Sequence, residues 1–243
     1  MSSPITHATA PVTVLAVAAW LLACADIAVA QQTAPPVRPP SVEIGGGIGY
    51  VGQAEAGTHD ATMTSNQPGE NPNPFTFFHA TGKTRSGLVG VFQVGVNVSP
   101  VWGVEGGFQY SNPTLSLKID RDVEGAPPTE IIGATFRQYA AEGNLVYHFN
   151  RHRFDNRKTV PFVLAGAGQL QQRDADTGAE ETGRYYQAGL GFKWFSAISA
   201  AGRARGAGLR LDIRYVFRDG GFDFEDKGRR SLIAVSATAL VGF

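Results

Sequence analysis

Leu209, Leu211, Ile213, Tyr215 and Phe217 alternate with Arg210, Asp212, Arg214 and Val216. Successive side chains of a β-strand point to opposite faces, so this stretch has one apolar face and one charged face. The same rhythm runs through seven more segments. In Val42–Val51, Val42, Ile44, Ile48 and Tyr50 oppose Glu43 and glycines. In Leu88–Val98, Leu88, Phe92, Val94, Val96 and Val98 oppose Gln93 and Asn97. In Val101–Ser111, Trp102, Val104, Phe108 and Tyr110 oppose Glu105 and Gln109. The longest, Ile131–Phe149, sets Tyr139, Ala141, Leu145, Tyr147 and Phe149 against Gln138, Glu142, Asn144 and His148. In Val160–Gln171 the apolar face is read as Phe162, Leu164 and Leu170. In Tyr185–Phe195, Tyr186, Leu190, Phe192 and Trp194 oppose Gln187 and Lys193. The last, Ser231–Phe243, places Ile233, Val235, Ala237, Ala239, Val241 and Phe243 on one face and Leu232, Ala234, Ser236, Thr238, Leu240 and Gly242 on the other.

Beyond the N-terminal region, no apolar run approaches the ~18 residues a membrane-crossing helix needs. If the chain enters a bilayer, it must do so as a closed barrel, because lipid cannot satisfy an open sheet edge. The predicted fold is therefore all-β, an eight-stranded antiparallel up-and-down transmembrane β-barrel. Its connectors alternate in character. Gly52–Ser86, Asn112–Glu130, Arg173–Thr182 and Asp219–Arg230 read as loops on one end. Ser99-Pro100, the basic stretch Asn150–Thr159 and the Gly/Ala-rich Ser196–Gly206 read as turns on the other. Membrane barrels have short periplasmic turns and longer external loops, so both chain termini are expected in the periplasm.

A soluble lipocalin would share this strand count with its apolar face turned inward. Aromatic residues cluster toward strand ends on the apolar face, as in interfacial girdles. The opposite face combines charge with Gly, Ala and Ser, which suits a narrow interior. Both features turn the apolar face toward lipid.

The N-terminus reads as a secretory signal. Val12–Ala25 is an apolar run too short to span a bilayer, and Ala28-Val29-Ala30 supplies a small-x-small cleavage pattern before Gln31. No Lys or Arg precedes the run. Leu21-Leu22-Ala23-Cys24 offers an alternative reading as a lipidation site. The expected organisation is signal peptide 1–30, proline-rich periplasmic leader 31–40 and barrel 41–243. Cys24 is the one cysteine, so a chain cleaved after Ala30 has no disulfide. Lys plus Arg equals Asp plus Glu at 21 each, and no basic surplus suggests a nucleic-acid partner.

With the apolar face outward, the interior holds Glu43, Glu105, Glu142 and Asp212 against Lys193, Arg210 and Arg214. Unpaired buried charge costs several kcal/mol, so these groups should pair. The third and seventh segments face each other across an eight-membered ring, which predicts a pair between Glu105 and Arg210 or Arg214. Glu142 lies further round and needs a longer reach. Eight strands leave room only for side chains, so the bore should be plugged.

The remaining polar residues suit plainer roles than catalysis or metal binding. Carboxylates of balanced sign scattered over several strands suit packing better than catalysis. His148 has no serine two residues later, unlike the barrel lipid A deacylases, and reads as a structural histidine near the periplasmic rim. His59, Asp60 and Ser65 are residue types that lipid A palmitoyltransferases use at the outer rim, but loops hold such types by chance. Asp174, Asp176, Glu180, Glu181, Asp219, Asp223, Glu225 and Asp226 lack calcium-loop spacing and read as solvated charge. Phe75, Phe77 and Phe78, beside Asn71-Pro72-Asn73-Pro74 and His79, either pack the loop or form a contact patch. Gly45-Gly46-Gly47 and Gly87-x-x-Gly90 open no helix and are not phosphate cradles. No cofactor or metal is expected.

Signal, leader, eight alternating segments, asymmetric connectors and terminal Phe243 together resemble the OmpA/OmpX-like outer-membrane β-barrel domain. The pattern covers nearly the whole chain after the signal. It departs from the OmpA arrangement in that no peptidoglycan-binding domain follows. The resemblance implies a monomeric, non-enzymatic protein of the Gram-negative outer membrane, with an envelope-structural role and loops displayed for adhesion or interaction. It implies lipid and lipopolysaccharide as surroundings, and the barrel-assembly machinery as a partner reading Val241 and Phe243. A narrow porin-like channel and a lipid A-modifying enzyme are the alternatives.

Overall fold

The computed structural model describes residues 41–64, 74–120, 127–150, 158–197, 206–221 and 229–243. The signal and leader, with Ala28, Ala30 and Cys24, lie outside the described residues. The strands are β1 (Val42–Val51), β2 (Ala54–Thr64), β3 (Pro74–Thr84), β4 (Gly87–Asn97), β5 (Trp102–Ser111), β6 (Thr114–Asp120), β7 (Thr129–His148), β8 (Thr159–Asp174), β9 (Glu180–Ala197), β10 (Gly206–Gly220) and β11 (Arg229–Gly242).

Eight of these close on themselves. The hydrogen-bonded order runs β7-β5-β4-β1-β11-β10-β9-β8, and a further pairing of β7 with β8 completes the ring. All eight junctions are antiparallel. They correspond to the eight alternating segments of the sequence. Followed round from Glu43, the register passes Gly95, Glu105, Asn144, Gly166, Gln187, Val216 and Leu232. It returns to the line of β1 at Gln53, ten residues beyond its start. A stagger of that size in an eight-membered ring tilts the strands by about 40°. The ends of the first and last strands meet: the Ser41 N–H donates to the Phe243 carbonyl at 2.8 Å, and the Phe243 N–H donates to the Val42 carbonyl at 2.8 Å.

The outer wall is apolar. Leu88 (72 % exposed), Ile48 (66 %), Tyr186 (59 %) and Leu211 (58 %) point outward, while Arg210 is 0 % and Arg214 4 % exposed. Aromatics ring this wall near both ends of the strands. Trp102 and Tyr147 stack edge-to-face at 5.0 Å toward one end, and Tyr110 and Tyr139 lie 5.2 Å apart toward the other.

Two expectations are corrected. The connectors Gly52–Ser86 and Asn112–Glu130 are not only loop: they contain β2, β3 and β6. These pair β2-β3-β6 and join β7, forming a side sheet above the ring. β7 serves both sheets. Its Thr129–Thr135 portion pairs with β6, and Gln138–Tyr147 pairs with β5. The added strands carry little alternation, because both faces of much of this sheet meet solvent. Within β2 and β3, Met63 and Phe75 are exposed. β2 also breaks register beside Gly57, whose φ of 99° only glycine adopts readily.

The second correction concerns β8. Phe162 (1 % exposed), Leu164 (3 %) and Leu170 (1 %) face inward, not toward lipid. The outward positions Ala165, Ala167, Gln169 and Gln171 are small or polar. Period two identifies two faces, but it does not say which is inward when one strand reverses the polarity of its neighbours. The β8–β9 connection is also tighter than read. Asp174 Oδ1 accepts from the backbone N–H groups of Thr177 (2.8 Å) and Asp176 (2.9 Å), and Gly178 takes φ 73°. Those two donors hold the Asp174 carboxyl below its ordinary range. Asp223, Glu225 and Asp226, and most of the turns at 150–159 and 196–206, lie outside the described residues.

Candidate functional site: the charged interior

The interior side chains form one continuous ionic chain. Lys193 of β9 donates to Glu43 Oε2 at 2.6 Å and Glu105 Oε1 at 3.0 Å. Arg210 of β10 donates from Nη1 to Glu105 Oε2 at 2.7 Å and from Nε to Asp212 Oδ2 at 2.9 Å. Arg214 donates from Nε to Asp212 Oδ1 and from Nη1 to Glu142 Oε1, both at 2.6 Å. All seven residues that the sequence assigned to the interior are here, and each is 9 % exposed or less. Glu105 meets Arg210 rather than Arg214. Glu142, expected to need a longer reach, is met by the extended Arg214 guanidinium across three strand positions of the ring.

Four carboxylates face three cations in this chain. Neutral donors supply the remainder. Glu142 accepts from Gln109 at 2.6 Å, Tyr185 OH at 2.9 Å and Asn144 at 3.0 Å, while Asn97 donates to Glu43 at 2.9 Å. Removing one partner from such a network leaves the others unpaired at low dielectric, which is costlier than the net value of the pair.

His148 sits at the lower end, 2 % exposed, with Nε2 3.1 Å from Lys193 Nζ. An ammonium cannot accept a hydrogen bond, so Nε2 accepts and the ring proton lies on Nδ1. All three Lys193 donors are then engaged, and the geometry is that of a structural support. Phe162 closes the floor: the Arg210 guanidinium lies 4.4 Å and Lys193 Nζ 5.5 Å from its ring centroid.

Glycines across the strands make room for these side chains. Gly95 is the cross-strand partner of Glu105, and Gly107 and Gly168 flank Glu142. A Cβ added at Gly107 would lie 2.7 Å from Glu142 Cγ, whereas one at Gly106, pointing outward, meets nothing within 4 Å. Above the ionic chain an apolar layer of Ala54, Ala140, Leu170, Tyr185, Val216 and Leu232 fills the bore. A void bordered by Gln109, Tyr185 and Arg214 holds about 20 Å³, enough for one water.

Sequence reasoning missed Phe162 and Tyr185 as members of this site, while Gln109 falls on the inward face read with Glu105. Tyr185 was available from alternation, since it lies two positions before inward-facing Gln187. Phe162 was not, because its strand was read with reversed polarity. The other candidates do not converge. Asp60 pairs with His79 Nδ1 at 2.5 Å rather than with His59, and Ser65 lies outside the described residues. Among the described residues no group of three or more His, Cys, Asp or Glu could hold a metal ion. Phe77 and Phe78 stack edge-to-face at 5.8 Å, and Asn71-Pro72-Asn73 lies outside the described residues. Val241 lies on the outward face of β11, and Phe243, one residue past its end, is likewise exposed.

Residues 15–228 match the family model described as outer membrane protein beta-barrel domain, a span that takes in β1 to β10. No curated protein matches. Among solved structures, the outer membrane protein OprG from Pseudomonas aeruginosa is 13 % identical, with a TM-score of 0.49, over 86 % of this chain and 97 % of that one. Neisserial surface protein A is 14 % identical, with a TM-score of 0.44, over 84 % and 97 %. Ail, the attachment invasion locus protein of Yersinia pestis, is 14 % identical, with a TM-score of 0.34, over 84 % and 99 %.

Proposed function

Because the chain belongs to the outer membrane protein β-barrel domain family, we propose that it is a non-enzymatic barrel with a sealed bore that stiffens the envelope and holds its side sheet and loops on the cell surface. The observation that carries this reading is the unbroken ionic chain from Glu43 to Glu142, roofed by the apolar layer. Every carboxylate in it is spent on a cation or a neutral donor. None is left beside an open cleft where a substrate could be attacked. The short turn at Ser99-Pro100 and the meeting of Ser41 with Phe243 fall on one end, and the side sheet falls on the other. That asymmetry supports periplasmic termini and an external side sheet. Val241 and Phe243 are then the strand end offered to the assembly machinery, lipid and lipopolysaccharide surround the wall, and the side sheet is the surface on which an extracellular ligand would act.

Planar-bilayer recording tests the reading. The purified protein should give no steady conductance at moderate voltage. Regular, salt-dependent openings would replace the sealed scaffold with the narrow-channel alternative. Changed lipid A acylation on overexpression, abolished by His59→Ala or His148→Ala, would replace it with the enzyme.

A further inference from the structure

The outer wall is uneven in a way that the interior does not explain. On β7 and β9 the alternation carries an aromatic and then, one outward position higher, an arginine: Tyr139 then Arg137, and Tyr186 then Arg184. Between them β8 presents no outward aromatic. Gln171 is the cross-strand partner of Tyr139, and Ala167 is that of Tyr186. The aromatic belt is therefore interrupted along β8, as it is along β11.

Below the gap the wall is thin. Ala141, Gly143, Ala165 and Ala167 all face outward and are exposed, and a Cβ placed at Gly143 meets nothing within 4 Å. This leaves small side chains along β7 and β8, flanked by the larger Leu145 and Tyr186.

Above the gap the wall is cationic. Arg137 and Arg173 are direct cross-strand partners on the outward face, and Arg184 is the partner of Gln169. Like charges placed opposite each other destabilise a sheet unless an anion lies between them. Arg137 and Arg184 make no ion pair or side-chain hydrogen bond among the described residues. Glu180 lies 3.7 Å from Arg173, and Asp219 is the cross-strand neighbour of Arg184, so a modest positive excess remains. The arginines stand one step beyond the aromatic belt, at headgroup level.

We propose that this face of β7, β8 and β9 is a docking site for a phosphorylated glycolipid of the outer leaflet, that is, lipopolysaccharide. Its headgroup phosphate lies among Arg137, Arg173 and Arg184. Gln169 bonds its polar backbone, beside Gln171, whose amide donates to Glu180 at 3.2 Å, and one acyl chain lies over Gly143 and Ala167. Charge complementarity selects this occupant over a zwitterionic lipid. The proposal rests on the outward-facing side sheet of the preceding section.

Two measurements on the full chain test it. In detergent micelles titrated with bisphosphorylated lipid A and read by native mass spectrometry, wild type should retain the lipid. Arg137→Ala/Arg184→Ala should weaken retention by about tenfold or more, as expected for lost charge-assisted bonds. Ala167→Phe, which puts a large ring in place of a small side chain there, should weaken it too. Ile48→Ala, on β1 at the opposite side of the ring, should not. The heat-dependent gel shift of each variant confirms that the barrel is folded. Equal retention by wild type and the double variant, or equal binding of dephosphorylated lipid A, overturns the site. In intact cells, Asp176→Cys in the β8–β9 turn should react with an impermeant maleimide. No reaction there overturns the outward orientation, and with it the outer-leaflet occupant. Reaction without loss of lipid A retention overturns the site alone.

Discussion

Single residues in this barrel are constrained by what lies opposite them. Arg210 is wholly buried and holds Glu105 and Asp212 together. Arg210→Ala should lower unfolding stability in urea by about 3–5 kcal/mol, since it strands two carboxylates. Adding Glu105→Gln and Asp212→Asn should recover part of that loss, and no recovery would mean that packing against Phe162 dominates. Two adjacent glycines give a sharper contrast. Gly107→Ala should cost about 1–3 kcal/mol, because its Cβ would meet Glu142. Gly106→Ala, facing open space, should change stability little. Equal effects in the same urea titration would contradict the inward and outward assignment of this strand. At this scale the sequence carried a good deal. Charge at every second position located Glu43, Glu105, Arg210 and Asp212 in the interior. It could not locate Phe162, because nothing within β8 itself distinguishes an aromatic supporting a guanidinium from one resting on lipid.

Elements were legible where one face is buried and the other is not. The β1 boundaries read from alternation, Val42–Val51, are those of the structure, and the other ring strands differ by a few residues at their ends. The side sheet was not legible, because β2 and β3 bury little and therefore have no need to alternate. Its independence from the ring gives a prediction. β1 and β4 pair directly through Val51 and Gly87, so the ring closes without the hairpin that connects them. Replacing residues 58–81 by a two-residue Asn-Gly turn should leave a heat-modifiable barrel, because Ala54 and its contacts in the apolar layer are retained. A chain that no longer shifts on boiling would show that the side sheet is needed for closure.

For the whole molecule, the wall and the bore share one physical cause. An apolar exterior must face acyl chains, every ionised group at the depth of those chains must then be turned inward, and the narrow ring forces those groups to neutralise one another. The ten-residue stagger ties the strands to a common register. A single-residue insertion in β10 would carry Arg210 or Arg214 to the outside, at a cost of about 2–4 kcal/mol for each arginine at the bilayer midplane. Such a variant should fail to give the compact band on unboiled gels, whereas a two-residue insertion in the β8–β9 turn should be silent.

The contact between Ser41 and Phe243 has a consequence for how the chain could be rewired. Because the two ends lie side by side, a short linker could splice them and the polypeptide could be reopened at Ser99-Pro100, with every ladder intact. Such a circular permutant would finish on β4 instead of β11, so the geometry of the ring would be unchanged while the strand presented last is different. Refolding into detergent together with failed insertion in cells would then separate Phe243 as an address label from Phe243 as a brick in the wall.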